Sequence, residues 1–139
     1  MKRFVLDASV ALAWFLNRPT APYADHVREL LLRGAHALVP ALWQLEIANG
    51  FVVAERRGVF TPSDTTQALH NLDLVISQAI ESSQDPVSMR RALQAGRKFG
   101  LTAYDAVYLE TAVAQDLPLA TLDRHLVAAA SRAGVAIVS

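Results

Sequence analysis

Four acids occupy places where a carboxylate is costly. Asp7 closes the apolar run Arg3-Phe4-Val5-Leu6-Asp7, and Asp123 follows the apolar run Leu119-Ala120-Thr121-Leu122. Both positions read as the carboxyl end of a buried strand, where open parallel sheets bind their ligands. Helix N-capping is the plainer alternative for each. Glu46 lies within Ala41-Leu42-Trp43-Gln44-Leu45-Glu46-Ile47-Ala48-Asn49. On a helical wheel Gln44 and Glu55 take the solvent side and Glu46 points nearly opposite. Trp43, Ile47 and Phe51 flank it on one hand, and Leu45, Ala48 and Val52 on the other. An inward carboxylate costs several kcal/mol unless it is paired, with an Arg as the plain alternative. Asn49 shares the face of Glu46 and could donate to it. Asp105 stands in the first turn of Thr102-Ala103-Tyr104-Asp105-Ala106-Val107-Tyr108-Leu109. The helix dipole alone would favour an acid there. Its face, however, also holds Tyr108, Leu109 and Ala112, whereas Glu110 lies well round the helix.

A parallel sheet can bring four such acids to one rim. Two carboxylates about 4 Å apart repel by roughly 4 kcal/mol at an effective dielectric of 20, so a counter-charge is required. No basic side chain recurs beside these acids. Mg²⁺ or Mn²⁺, which prefer carboxylate and water oxygens, are the economical choice. All-oxygen acidic sites of this kind support hydrolysis of phosphodiesters. Ser9 and Thr121 offer hydroxyls beside Asp7 and Asp123.

Positioning these residues takes alternating strands and helices. Strands are expected at Arg3–Asp7, Ala37–Val39, weakly at Ala79–Glu81, at Leu117–Thr121 and at Val135–Val138. Helices are expected at Ala8–Phe15, Pro22–Arg33, Ala41–Arg57, from Pro62 to about Ser77, from Asp85-Pro86 to Phe99, Ala103–Gln115 and Leu122–Ala133. Thr61-Pro62-Ser63-Asp64 carries a capping signal, and Gly34, Gly58, Gly100 and Gly134 are natural stops. No Asn-Gly or Asp-Gly hairpin occurs. The pattern is that of a parallel α/β sheet covered on both faces. The 139 residues make one domain.

Composition sets the outer limits. With 53% hydrophobic and 19% charged residues the chain is not disordered, and no apolar run is long enough to span a membrane. In Met1-Lys2-Arg3-Phe4-Val5-Leu6-Asp7 a charge arrives too early for the apolar stretch of a secretory leader. Cys is absent, which removes disulfides and thiolate metal sites and fits a reducing cytoplasm. Thirteen bases balance thirteen acids, so overall charge does not announce a nucleic-acid binder. Arg56-Arg57, Arg90-Arg91 and Arg97-Lys98 are candidate phosphate contacts, with a solvated helix face as the plain alternative. Trp14, Phe15, Trp43 and Phe51 are either core or the wall of a partner groove. His26, His36, His70 and His125 lack metal-ligand spacing; only His125 lies near a site acid.

Val5-Leu6-Asp7-Ala8-Ser9, Trp43 to Asn49, Thr102 to Leu109 and Pro118 to Asp123 together resemble the PIN-domain ribonucleases, and among them the VapC toxins of bacterial VapBC toxin–antitoxin pairs. The resemblance runs from Lys2 to Ser139. It implies a PIN-like three-layer α/β/α fold with a central, mainly parallel sheet. It places the catalytic, metal-holding acids at Asp7, Glu46, Asp105 and Asp123, with Ser9, Asn49 and Thr121 in support. It further implies a Mg²⁺- or Mn²⁺-dependent endoribonuclease cutting tRNA, rRNA or mRNA. A homodimer and a VapB-type antitoxin that blocks the site are the implied partners. A housekeeping RNA-processing nuclease and a non-catalytic RNA-binding PIN domain are the alternatives within the family. A haloacid-dehalogenase-type phosphatase would need a second Asp where Ser9 stands, and it and a receiver domain would need a Lys that is not evident here.

Overall fold

A computed structural model of the protein describes residues 3–139; Met1 and Lys2, the head of the expected domain, lie outside them. Strand β1 (Arg3–Leu6) leads into α1 (Ala8–Leu16) and α2 (Pro22–Leu32), and β2 (His36–Val39) into α3 (Leu42–Arg56) and α4 (Pro62–Ala79). Then follow β3 (Ile80–Ser82), α5 (Met89–Phe99), α6 (Ala103–Gln115), β4 (Leu119–Ala120) and α7 (Arg124–Ala133). The sheet order is β3-β2-β1-β4, with every pairing parallel. The helices flank it as a three-layer α/β/α fold. Phe4, Val5 and Leu6 of β1 are all fully buried, as a central strand covered on both faces requires.

The order also places a site. From β1 the chain moves outward through β2 to β3, then returns to the other side of β1 for β4. The crevice at the carboxyl ends of β1 and β4 is therefore the topological switch point of the sheet. Leu6 pairs with Ala120 there, and the Asp7 amide donates to the Ala120 carbonyl at 3.0 Å. Asp7 and Thr121 thus emerge side by side.

Local chemistry fixes the helices that meet this rim. The Thr102 hydroxyl accepts the Asp105 amide at 3.2 Å and starts α6 where expected. Gly100, at φ +66°, turns the chain between α5 and α6 in the left-handed region that a side chain would strain. Within α3, Gly50 is a packing position: a Cβ there would stand 2.5 Å from Leu12 Cδ2 of α1. The Thr61 and Asp64 cap forms in both directions, at 3.1 and 2.9 Å.

Strand β4 is shorter than the expected Leu117–Thr121, α7 starts at Arg124 instead of the expected Leu122, and two further elements differ more. Helix α5 begins at Met89, because the Ser88 hydroxyl accepts the Arg91 amide at 3.2 Å, whereas Asp85 is tied into a turn with Ser83. The segment expected as a last strand makes only an isolated bridge, Leu119 to Ile137. Strand β4 has two residues and gives a fifth strand little to pair with. Among the described residues, no helix is long and apolar enough to cross a membrane.

Candidate active site

An open cleft of about 630 Å³ lies over the switch point, and its wall includes Asp7, Glu46, Asp105 and Asp123. Ser9 and Asn49 line it too, while Leu45 and Tyr104 stand at 74% and 67% exposure on its wall. The four acids come from four elements: the end of β1, the middle of α3, the first turn of α6 and the start of α7.

Asp7 is the most constrained. It is buried, and its Oδ2 accepts from the Ser9 hydroxyl at 2.6 Å and the Thr121 hydroxyl at 2.7 Å. Although Asp7 occupies the N-cap position of α1, its side chain makes no capping bond. The same two hydroxyls also accept: Ser9 takes the Leu122 amide at 3.1 Å, and Thr121 takes the Asp123 amide at 3.0 Å. One small network therefore ties the exit of β4 to the exit of β1.

Asp123 does cap its helix. Its Oδ1 accepts the amides of His125 and Leu126 at 2.8 and 3.1 Å. Capping and facing the cleft are compatible, since the second oxygen is free of that duty. Glu46 is half-buried, and its Oε1 accepts the Tyr108 hydroxyl at 2.6 Å. Tyr108 is fully buried and was not singled out from the sequence. The available signal was a phenol on the Asp105 face of a helix otherwise committed to the core. Asn49 is exposed, and among the described residues its side chain makes no hydrogen bond.

The stripe of Leu45, Ala48 and Val52 is exposed, not inward. Solvent therefore covers a wider arc of α3 than Gln44 and Glu55 define, and Glu46 sits at the edge of the buried face, at the cleft. His125 is exposed and touches Asp123 only through its amide.

The electrostatics record the crowding. Burial raises the pKa of Asp7, its two hydroxyl donors oppose the rise, and the charge of Asp123 adds to it. Burial likewise raises Glu46; Tyr108 opposes, and the charges of Asp7 and Asp105 add. Asp105 is raised by burial, then by the charges of Asp123 and Asp7, with His125 working the other way. The Tyr108 phenol is driven above its ordinary value by burial and by Glu46, so it remains a donor. The four ion pairs among the described residues are Arg3–Glu81, Arg28–Asp25, Arg33–Glu29 and Arg91–Glu110; none uses a cleft acid.

The donor set fits a hard cation. Asp7, Glu46 and Asp123 are each held through one carboxylate oxygen, and the other accepts from no side chain among the described residues. In the conformations seen, no three of the described acids or histidines converge closely enough to share one ion. Closure onto a metal would need side-chain rotation at the cleft.

A protein-family model for the PIN domain matches residues 4–131. The chain belongs to the PIN domain family. PIN domains are generally metal-dependent nucleases, which agrees with an acidic, all-oxygen cleft at a sheet's switch point. The fold is also similar to the crystal structure of PAE2754 from Pyrobaculum aerophilum. The two share 21% identity over 92% of this chain and 84% of that one, with a TM-score of 0.68. At that identity the likeness concerns the PIN fold alone. No curated protein matches the sequence.

Proposed function

We propose that this PIN domain is a Mg²⁺- or Mn²⁺-dependent endoribonuclease that acts as the toxin of a VapBC-type pair. The supporting observation is the cleft itself, which four carboxylates line without an ion-pair partner among the described residues. Asp7, Glu46, Asp105 and Asp123 are the proposed metal-holding and catalytic acids, with Ser9, Thr121 and Asn49 in support. A divalent ion bound among them supplies Lewis acidity for the attack of water on a phosphodiester.

The chain's own groups do the positioning. Ser9 and Thr121 fix one oxygen of Asp7, and neither hydroxyl engages the second oxygen. Tyr108 holds Glu46 from behind, and the α7 amides hold Asp123. With each carboxylate carried on a fixed element, side-chain rotation at the cleft is the movement left for metal binding.

The partner reading has its own support. Trp14, Trp43 and Phe51 are core, but Trp14, with the half-buried Phe15, also lines a largely apolar cavity of about 810 Å³ between α1, α2 and α4. A VapB-type antitoxin segment is the proposed occupant, reaching on to block the acids; a homodimer is proposed as well.

The test is brief induction in cells followed by sequencing of RNA 5′ ends, with and without the adjacent small gene. Growth arrest with a few recurrent new 5′ ends, relieved by co-expression, is expected. Harmless high-level expression with the quartet intact would remove the toxin role.

A further inference from the structure

Another cavity, of about 390 Å³, lies between α5, α6 and α7, and none of the four cleft acids lines it. Lys98, Phe99 and Arg132 line it. The Lys98 ammonium stands 5.3 Å from the Phe99 ring centroid and the Arg132 guanidinium 5.4 Å, so one aromatic ring carries two cations. Cation–π attraction of this kind is worth about 0.5–1 kcal/mol at exposed sites and leaves each charge available. Neither cation forms an ion pair among the described residues. The nearby acid, Glu110, is engaged by Arg91 at 3.4 Å. The guanidinium is also pre-set, since Arg132 Nη2 donates to the Lys98 carbonyl at 2.9 Å near the end of α5.

Two like charges held at one cavity call for an anion. The position suits a polyanion already in the acid cleft. Arg132 is nine residues along α7 from Asp123, about 13 Å at 1.5 Å per residue, a distance of a few nucleotides. With 13 bases against 13 acids, the chain has no diffuse positive field to hold RNA beside its acidic cleft. It needs a local one.

We propose that Lys98 and Arg132 form an RNA exosite that grips backbone phosphates of the strand leaving the cleft. This rests on the ribonuclease reading. The contact is to phosphate, so it carries affinity and no base preference.

Binding of two unrelated single-stranded RNA oligonucleotides to the full chain in EDTA, across salt concentrations, tests it. Lys98→Gln leaves the Lys98 carbonyl and the Arg132 anchor in place. It should weaken both RNAs several-fold and alike, and flatten the slope of log affinity against log salt by about 0.7, the value of one single-strand phosphate contact. The Lys98→Gln/Arg132→Gln pair should flatten it by about 1.4. Lys98→Arg should restore the wild-type slope. Unchanged affinity and slope in both variants overturns the exosite while leaving the ribonuclease reading intact. A wild-type chain that neither binds nor cuts RNA overturns both.

Discussion

The Tyr108 hydroxyl of α6 donates to Glu46 Oε1 of α3 at 2.6 Å, joining residues 62 positions apart. The bond fixes an acid on an otherwise unsecured helix edge. Tyr108→Phe removes only this oxygen. It should cost about 1–2 kcal/mol, because Glu46 is half-buried and can recover some water. Metal affinity or cleavage should fall about tenfold, as is usual when the group orienting a ligand is lost. Thermal melts and metal titrations measure the two effects, and unchanged metal dependence would make the bond purely structural.

Thr121 is buried and serves two partners, donating to Asp7 and accepting the Asp123 amide. Thr121→Val keeps its shape, leaves the Asp123 amide without that acceptor and leaves Asp7 with the Ser9 donor alone. A loss of about 2–3 kcal/mol is expected, larger than for Ser9→Ala at its less buried position. Denaturant unfolding of the two variants checks the order; equal losses would mean that burial does not set the cost.

Acid stability should run opposite to the usual direction. Asp7, Glu46 and Asp105 all titrate above their ordinary values when folded, chiefly through burial. The folded chain therefore binds more protons than the unfolded one from about pH 4 up to the folded values, and stability falls as pH rises across that window. In EDTA the melting temperature should decline along a pH series rising from about 4, and saturating Mg²⁺ should flatten that decline. A metal-free chain whose stability rises with pH along that series would contradict the crowding of the acids.

Much of this site was legible in local chemistry. Asp7 stands directly after an apolar strand and Asp123 three residues past one, and Thr102 caps the helix that carries Asp105. These are short-range relations, and short-range rules find them. The Asp85-Pro86 start for α5 failed because it mimics a cap, while Ser88 supplied the actual one. The Leu45 stripe failed for another reason: apolar spacing marks a face but not whether anything covers it. Tyr108 and Glu46 meet through packing between α6 and α3, which no spacing within either helix encodes.

Asp105→Asn should not lower the stability of the metal-free chain. The cap of α6 comes from Thr102, not from the Asp105 carboxylate, so the helix keeps its start. Losing the charge relieves repulsion from Asp123 and Asp7. The opposing loss of a helix-dipole contact is about 0.3–1 kcal/mol. Mg²⁺ should reverse the order, since a ligand at 100 times its dissociation constant adds about 2.7 kcal/mol to the wild type. A variant melting well below wild type in EDTA would make Asp105 a structural acid.

The most direct test is cleavage of labelled RNA by the purified chain. Cleavage at a few positions is expected with Mg²⁺ or Mn²⁺, none in EDTA, recovery when metal is restored, and none from Asp105→Asn with metal present. Undiminished cleavage in EDTA, or by Asp105→Asn, would contradict a metal-dependent site built on these four carboxylates.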